Sequence, residues 1–288
     1  MQLRGYRTYW GSTGMPWAEF AAEAKADGYD GLEVPIPADA AGQLALRTAL
    51  DEHGFDLIAE ICTAGSYVPE RRATPAQHLE SLARQLEIIH RFGATKINCM
   101  AGCDAWPLSK SVDFFGLAIE RVRESGIPIS FETHRSRTLF NPWVARDLVQ
   151  ALPDLYLTCD FSHWCVVCER LIDTEFDVLE ILAPRARHIH GRVGYDQGPQ
   201  VPHPAAPEFA DALAAHQRWW ELCWLAMQDA GLTQCTLTPE FGPDGYLHRL
   251  PFTDQPVADL RQINRWMLDT ERAHFDRWRA GQRTGLGL

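Results

Sequence analysis

The segment GLEVPIPADAAGQLALRTALDEHGFDLIAEIC (31–62) predicts a strand, a helix and a second strand in succession. Two short runs rich in apolar residues, 31–36 and 56–62, flank a longer stretch, 41–54, that has helical character. The helical stretch ends at Gly54, and glycine most readily takes the left-handed conformation that stops a helix. Strands that alternate with helices in this way are typical of βαβ units and a parallel sheet.

The same alternation continues along the chain of 288 residues. Strands are predicted at 3–10, 31–36, 56–62, 95–102, 127–134, 155–161, 186–192 and 235–242. Helices are predicted at 16–28, 41–54, 76–92, 109–125, 141–151, 175–183, 208–230 and 256–278. The pattern predicts an α/β fold, a single (β/α)8 TIM barrel over residues 1–278 with a C-terminal tail at 279–288. A doubly wound open sheet is the alternative, but neither of the glycine-rich phosphate-binding motifs, GxGxxG or GxxxxGK[ST], occurs.

The composition narrows the class of partner. The formal net charge is -11, so we expect no nucleic-acid partner, because phosphate backbones are bound by clustered Lys and Arg. No signal-like or membrane-length apolar run is present, and we expect a cytoplasmic protein that does not bind membranes. The 8 cysteines lie largely inside apolar runs and are expected to be reduced thiols. A homo-oligomer is left open.

Polar residues stand where four consecutive strands should end: Glu132 in SFETH, Asp160 in TCDFSHW, His190 in HIHGR and Glu240 in TPEFG. Taken singly, such an acid could cap a helix or pair with an arginine. At equivalent strand ends of one barrel they would meet, and buried carboxylates repel one another unless a cation lies between them. The pattern predicts one divalent metal, with Mn²⁺ favoured and Mg²⁺, Co²⁺ or Zn²⁺ as alternatives. His188, one strand period earlier, is expected to be a packed histidine lower in the barrel.

At these residues the sequence resembles the xylose isomerase-like superfamily, which groups sugar and sugar-phosphate isomerases and epimerases with endonuclease IV. The resemblance spans essentially the whole chain. In the ketose 3-epimerase branch, a Glu, an Asp, a His and a Glu after strands five to eight bind one metal. Their counterparts here are Glu132, Asp160, His190 and Glu240. That branch has a substrate-binding His three residues after the metal-binding Asp, and His163 repeats the spacing. For the family's substrate-binding Arg, Arg192 is only the nearest candidate.

The resemblance implies a metal-dependent isomerase or epimerase that acts on a small carbohydrate, a ketose or keto-sugar. Glu132 and Glu240 would remove and return a proton beside the carbonyl, through an enediolate. The expected substrate contacts are His163, Arg192, His134, Trp106 and Trp164. For Arg192 and His134 a structural role is weighed equally, and for the two aromatic residues ordinary hydrophobic cover is the alternative.

Other functions are weighed against this one. A lyase that eliminates from a keto-glycoside or keto-inositol would use the same proton abstraction. Endonuclease IV-type DNA repair needs zinc-binding histidines after strands two and three, where this chain offers only Glu33 and Glu60. A non-catalytic carbohydrate-binding subunit of an oxidoreductase would not need both Glu132 and Glu240. The loop at 193–207 is expected to be either a lid or a rigid brace for a subunit contact.

Overall fold

Eight parallel strands close into a barrel in chain order in the computed structural model, which describes residues 1–243 and 245–285. The strands are β1 Gln2–Thr8, β2 Gly31–Val34, β3 Asp56–Cys62, β4 Lys96–Met100, β5 Ile129–Glu132, β6 Leu157–Cys159, β7 Ala186–His190 and β8 Gln234–Thr238. Each strand pairs with the next, and β1 closes the barrel by pairing with β8 through Gln2 and Gln234. The predicted (β/α)8 barrel is therefore confirmed.

Helices cover the outside of the barrel. Those described are α1 Trp17–Ala26, α2 Ala40–His53, α3 Pro75–Phe92, α4 Leu108–Ser125, α5 Pro142–Ala151, α6 Ser162–Cys168, α7 Phe176–Leu182, α8 Ala210–Asp229 and α9 Leu260–Gly285. The predicted helices are all present with shifted ends, but the sequence analysis missed α6, which follows β6 directly. Its sequence, SHWCVVC, is too short and too uniformly apolar for a helical period to be visible. None of the described helices is long and apolar enough to cross a membrane.

The chain end differs from the predicted loose tail. Helix α9 runs on to Gly285, so residues 279–285 are helical, and residues 286–288 lie outside the described part of the chain. Arg279 explains part of this difference, because its guanidinium donates a hydrogen bond to the carbonyl oxygen of Met1 at 3.3 Å. A second guanidinium nitrogen lies 3.2 Å from the Asp276 carboxylate, one turn earlier. The first contact joins the last turns to the start of the barrel, and the second lies within the helix.

The core lies between the barrel and its helices, and α8 contributes its largest side chains. Trp219, Trp220 and Trp224 are fully buried, and α8 contacts β7. Large aromatic side chains bury the most apolar area per residue and dominate the packing energy of a core. All 8 cysteines are free thiols. The packed α8 layer supports the strands whose ends carry His190 and Glu240.

The loop at 193–207 is packed against its neighbours within the chain. Gln200 and the backbone of Gly242 exchange two hydrogen bonds, at 2.8 and 3.3 Å, which join this loop to the loop after β8. Val201 and Val193 are fully buried, and the Val201 N–H bonds the Val193 carbonyl at 2.9 Å. The backbone of Gly194 lies directly against α6. The loop thus fixes the positions of its neighbours.

The contact between Gly194 and α6 gives the first prediction. A Cβ atom on Gly194 would lie 2.6 Å from the Ser162 carbonyl oxygen and 2.7 Å from its Cα, which are backbone atoms. We expect Gly194→Ala to lower the free energy of unfolding by about 1–3 kcal/mol, measured by urea denaturation. Gly281→Ala in α9 is the matched control, because a Cβ there meets no atom within 4 Å, and it should leave stability unchanged or raise it by up to about 1 kcal/mol. Two variants of equal stability would contradict the close packing.

Candidate metal centre

The four acidic and imidazole side chains predicted from strand ends meet at the C-terminal mouth of the barrel. Glu132 ends β5 and His190 ends β7, while Asp160 and Glu240 follow β6 and β8 by one and two residues. One ligand-type atom from each residue lies within 4.8 Å of those of the others. All four residues are buried, Glu240 being the most exposed at 7%. The structure therefore brings the whole predicted group together.

The two ring nitrogens of His190 have different surroundings. Nε2 lies 3.0 Å from Glu33 Oε1, and a carboxylate at this distance accepts the Nε2–H. Nδ1 makes no hydrogen bond within the described residues, although it lies 3.0 Å from Glu240 Oε2, 3.8 Å from Glu132 Oε1 and 3.9 Å from Asp160 Oδ2. A nitrogen lone pair that faces three carboxylate oxygens is repelled by them unless a cation lies between. These four potential ligands, with the Glu33 carboxylate bonded to the other nitrogen of the imidazole, fit a divalent cation.

The pKa shifts of these residues also indicate that the group would bind a cation. Burial and the charges of Glu240 and Asp160 raise the pKa of Glu132, and burial raises the pKa of Asp160 against the opposing charge of Arg192. Although burial disfavours a charged imidazole, the surrounding glutamates raise the pKa of His190 well above its ordinary value. The group therefore attracts positive charge, and a metal ion would compete for it with protons.

Glu33 supports the group from below. Its Oε2 lies 2.9 Å from His188 Nε2 and accepts a hydrogen bond from the Thr238 hydroxyl, while His188 Nδ1 lies 2.7 Å from Thr236 Oγ1. The paired histidines His188 and His190 lower the pKa of Glu33 well below its usual value, against the opposing effect of burial. His188 is thus a packed, hydrogen-bonded residue deeper in the barrel, and Glu33 fixes the orientation of His190.

Arg192 is buried and bonded to the acidic group itself. Its Nη2 donates to Asp160 Oδ2 and lies 3.4 Å from Glu240 Oε2, and its Nε donates to Ser162 Oγ at 3.0 Å. Nη2 also lies 2.8 Å from His163 Nε2, which accepts from it. Most of its donors are therefore engaged by the protein. This placement favours the structural role over that of a free anchor for an anionic substrate.

His134 and His163 lie side by side, with ring centroids 4.0 Å apart, and both are buried. Burial, together with the positive charge of Arg192, lowers the pKa values of both imidazoles well below normal, so both are neutral. His163 Nδ1 has no hydrogen-bond partner within the described residues. These two histidines and Glu132 could also hold an ion, but Arg135 and Arg192 oppose a second cation there.

A cavity of about 410 Å³ opens above the four-residue group. Its aromatic lining comes from Tyr9, Trp10, Tyr67 and Tyr246. Its charged or imidazole lining comes from Glu60, Glu132, His134, Arg192 and Glu240. A concave site of this size with a few convergent polar groups suits one small polar ligand that also has apolar faces.

Three predicted contact residues, His163, Trp106 and Trp164, are not among the described residues that line this cavity. His163 lies directly behind the lining residue His134, whereas the two tryptophans pack elsewhere. Trp106 packs against His78 and Phe114, with centroid distances of 4.8 and 5.2 Å. Trp164 is fully buried and its indole N–H donates to the Leu139 carbonyl at 2.9 Å. Position just past a strand end does not tell whether a side chain faces the barrel axis or the helical layer, and these two pack into the core.

Residues that the sequence analysis did not assign to the site also border it. Asn98 donates a hydrogen bond from Nδ2 to Glu132 Oε2 at 2.9 Å. Burial and the charges of Glu240, Glu33 and Glu132 raise the pKa of Glu60 well above its ordinary value. A usable signal existed for these residues, since each is a polar residue inside an otherwise apolar strand. Tyr246 lies in a loop, and no sequence pattern indicates its position.

A closed barrel of alternating strands and helices, with this candidate metal group after strands β5 to β8, defines a (β/α)8 TIM barrel. The chain belongs to the xylose isomerase-like TIM barrel family, whose model matches residues 21–197. This confirms the family that the sequence resembles. A search of curated protein sequences finds no match.

Solved structures with similar folds include several carbohydrate epimerases. A 3-keto-D-glucoside 4-epimerase from E. coli superposes with a TM-score of 0.61 at 14% identity, over 94% of this chain and 100% of that chain. A D-allulose 3-epimerase from Methylomonas sp. gives a TM-score of 0.64 at 13% identity, over 95% and 97%. A probable 3-DHS dehydratase from Bacillus anthracis gives 0.57 at 11% identity, over 93% and 98%. At these identities the likeness establishes the shared fold.

Metal addition tests the centre. We expect Mn²⁺ to raise the Tm of the wild-type protein, because a ligand that binds only the folded state at about 100 times its Kd adds about 2.7 kcal/mol. Glu132→Gln should lose most of this gain, since it removes one charge from the group while the side chain keeps its size. Glu52→Gln, on the exposed face of α2, is the control and should respond as the wild type does. An unchanged wild-type Tm with Mn²⁺ would contradict the assignment.

The role of Glu33 gives a separate prediction. Glu33→Gln should weaken Mn²⁺ binding by about 10–100-fold in a calorimetric titration, because the carboxylate that orients His190 and raises its basicity is lost. The isosteric amide preserves packing, and Glu52→Gln again serves as the control. Affinity within twofold of the wild type would show that Glu33 does not orient the histidine.

Proposed function

We propose that the protein is a divalent-metal-dependent isomerase or epimerase that moves a proton beside the carbonyl of a ketose or keto-sugar. One observation carries this proposal. Glu132 and Glu240 border the cavity, whereas Asp160 and His190 are not among the described residues that line it. A binding site alone would need no two carboxylates open to the ligand. This difference supports a role in holding the cation for Asp160 and His190. It supports an additional acid–base role for Glu132 and Glu240.

The cation would be held by Glu132, Asp160, His190 and Glu240. When bound, it would supply Lewis-acid stabilisation of the negative charge that develops on the carbonyl oxygen. Three carboxylates with one imidazole favour Mn²⁺, with Mg²⁺, Co²⁺ or Zn²⁺ as alternatives.

The two glutamates can divide the proton transfer. Glu240 directs Oε2 towards His190 and Arg192, and no hydrogen bond within the described residues engages its Oε1, which leaves that oxygen to act as a base. Glu132 approaches from β5, three strands away around the barrel, and Asn98 holds its Oε2. Return of the proton to the opposite face of the same carbon gives an epimer, and return to the neighbouring carbon gives an aldose–ketose isomer.

The lining supports a carbohydrate as substrate. Aromatic faces such as those of Trp10 and Tyr246 can pack on the C–H faces of a sugar, and the neutral His134 can bond its hydroxyl groups. Arg192, which is part of this lining, bonds Asp160 and also His163 behind it. Similarity of fold to the carbohydrate epimerases is consistent with the proposal. The net charge of -11 argues against a nucleic-acid substrate.

The proposed base gives a direct prediction. Glu240→Gln should keep the fold but slow the exchange of substrate hydrogen with solvent D₂O by about 10²–10⁴-fold, because an amide cannot accept the proton. A panel of ketoses and 3-keto glycosides, followed by NMR with Mn²⁺ present, measures this exchange. The product distinguishes an epimer, an isomer and the unsaturated product of a lyase. Undiminished exchange in Glu240→Gln, with Glu52→Gln as the reference, would contradict the role.

A further inference from the structure

Glu60 is a carboxyl group in the cavity that the proposed reaction does not use. It lies two residues before the end of β3, beside Asn98 on β4, and its half-buried side chain lines the cavity. Within the described residues, no hydrogen bond or ion pair engages it, and it does not belong to any of the groups that could hold a metal. The charges around it are those of Glu240, Glu33 and Glu132, opposed by that of His190.

The other carboxylates of the barrel mouth each have partners. Glu33 bonds two histidines, Asp160 bonds Arg192 and Ser162, and Glu132 accepts from Asn98. An unpaired carboxyl among like charges is unfavourable when it is removed from bulk water. Packing gives no reason for Glu60 to be kept there, whereas a ligand that hydrogen-bonds it would.

The position of Glu60 in the cavity indicates which part of a bound substrate it would contact. The candidate metal group is built on β5 to β8, whereas Glu60 lies on β3, in the part of the cavity wall formed by β1 to β4 and their loops. The described lining of that wall is aromatic, apolar or neutral apart from Glu60, with Trp10, Tyr67 and Met100 as its large side chains. A substrate seated on the metal group with its carbonyl would therefore extend its remaining carbons towards this carboxyl.

We propose that Glu60 is a specificity-determining residue that binds a hydroxyl group of the substrate chain remote from the reacting carbon. A carboxyl group can accept hydrogen bonds from hydroxyls through both oxygens. Among the described residues that line the cavity, Arg192 is the only Lys or Arg, and it is held by Asp160. A phosphate or carboxylate at the same end would therefore face Glu60 and its acidic neighbours with no other cation in this lining. The site therefore selects neutral polyhydroxy substrates. This inference rests on the proposed function for the direction in which the substrate lies.

The test uses the full-length, Mn²⁺-loaded protein and an unreactive probe. Glucitol, its monodeoxy derivatives and glucitol 6-phosphate are titrated by calorimetry into the wild type, Glu60→Gln, Glu60→Ala and the exposed control Glu52→Gln. We expect Glu60→Ala to bind glucitol about 10–100-fold more weakly than the wild type, with a smaller loss in Glu60→Gln. One deoxy derivative should bind the wild type at least about tenfold more weakly than glucitol, and this difference should vanish in Glu60→Ala.

The comparison of glucitol with glucitol 6-phosphate tests whether Glu60 disfavours a negatively charged substrate. The wild type should prefer glucitol over glucitol 6-phosphate, and Glu60→Ala should lose most of that preference. Metal content, measured by elemental analysis, should stay the same in all four proteins, because Glu60 does not hold the ion.

Two results would overturn the inference. The first is glucitol affinity in Glu60→Ala within twofold of the wild type, including the absence of measurable binding to both. The second is that Glu60→Ala weakens the binding of glucitol and of every deoxy derivative by the same factor, which would indicate only a structural role for Glu60. Failure of the proposed reaction is seen separately. If no keto-sugar exchanges with D₂O but the glucitol pattern holds, the reaction is wrong and the role of Glu60 stands. If exchange proceeds with the same KM in Glu60→Ala, the role of Glu60 is wrong and the reaction stands.

Discussion

Mutual repulsion among buried carboxylates shapes the mouth of this barrel. Asp160, Glu132 and Glu240 surround one nitrogen of His190, while Glu33 bonds the other. Placing them together is costly in a low-dielectric interior unless positive charge is added. The surrounding hydrogen bonds are best understood as the means by which the fold holds the acids in place for that charge.

The strand ends of the barrel place the four candidate metal-binding side chains close together, and neighbouring polar residues orient them. Arg192 neutralises part of the charge of Asp160, Asn98 holds one oxygen of Glu132, and Glu33 fixes the imidazole. The loop after β7 and helix α6 are packed together at Gly194, which keeps Arg192 and Asp160 in register. Preorganisation of this kind is what allows a metal site to discriminate between ions and a base to face its substrate correctly.

Much of the architecture could be predicted from the sequence, because strand–helix alternation is a local signal and because four polar residues interrupt apolar strand ends. The same locality explains the failures. Helix α6 is too short to show a period, and in the continuation of α9 Arg279 contacts Met1, which is distant in sequence. Trp106 and Trp164 were expected near the ligand, but only the three-dimensional packing shows that they face the helical layer. Glu33 and Glu60 carried a visible signal, yet their different roles depend on which side chains lie opposite them across the barrel.

The central claim is that this acidic group holds one divalent cation at His190 Nδ1. A crystal structure of the Mn²⁺-loaded protein, with anomalous diffraction recorded on both sides of the manganese absorption edge, tests it most directly. The account predicts one manganese peak bonded to Glu132, Asp160, His190 and Glu240, with ligand distances of about 2.0–2.3 Å. The absence of a peak at His190, or a peak between His134 and His163 instead, would contradict it.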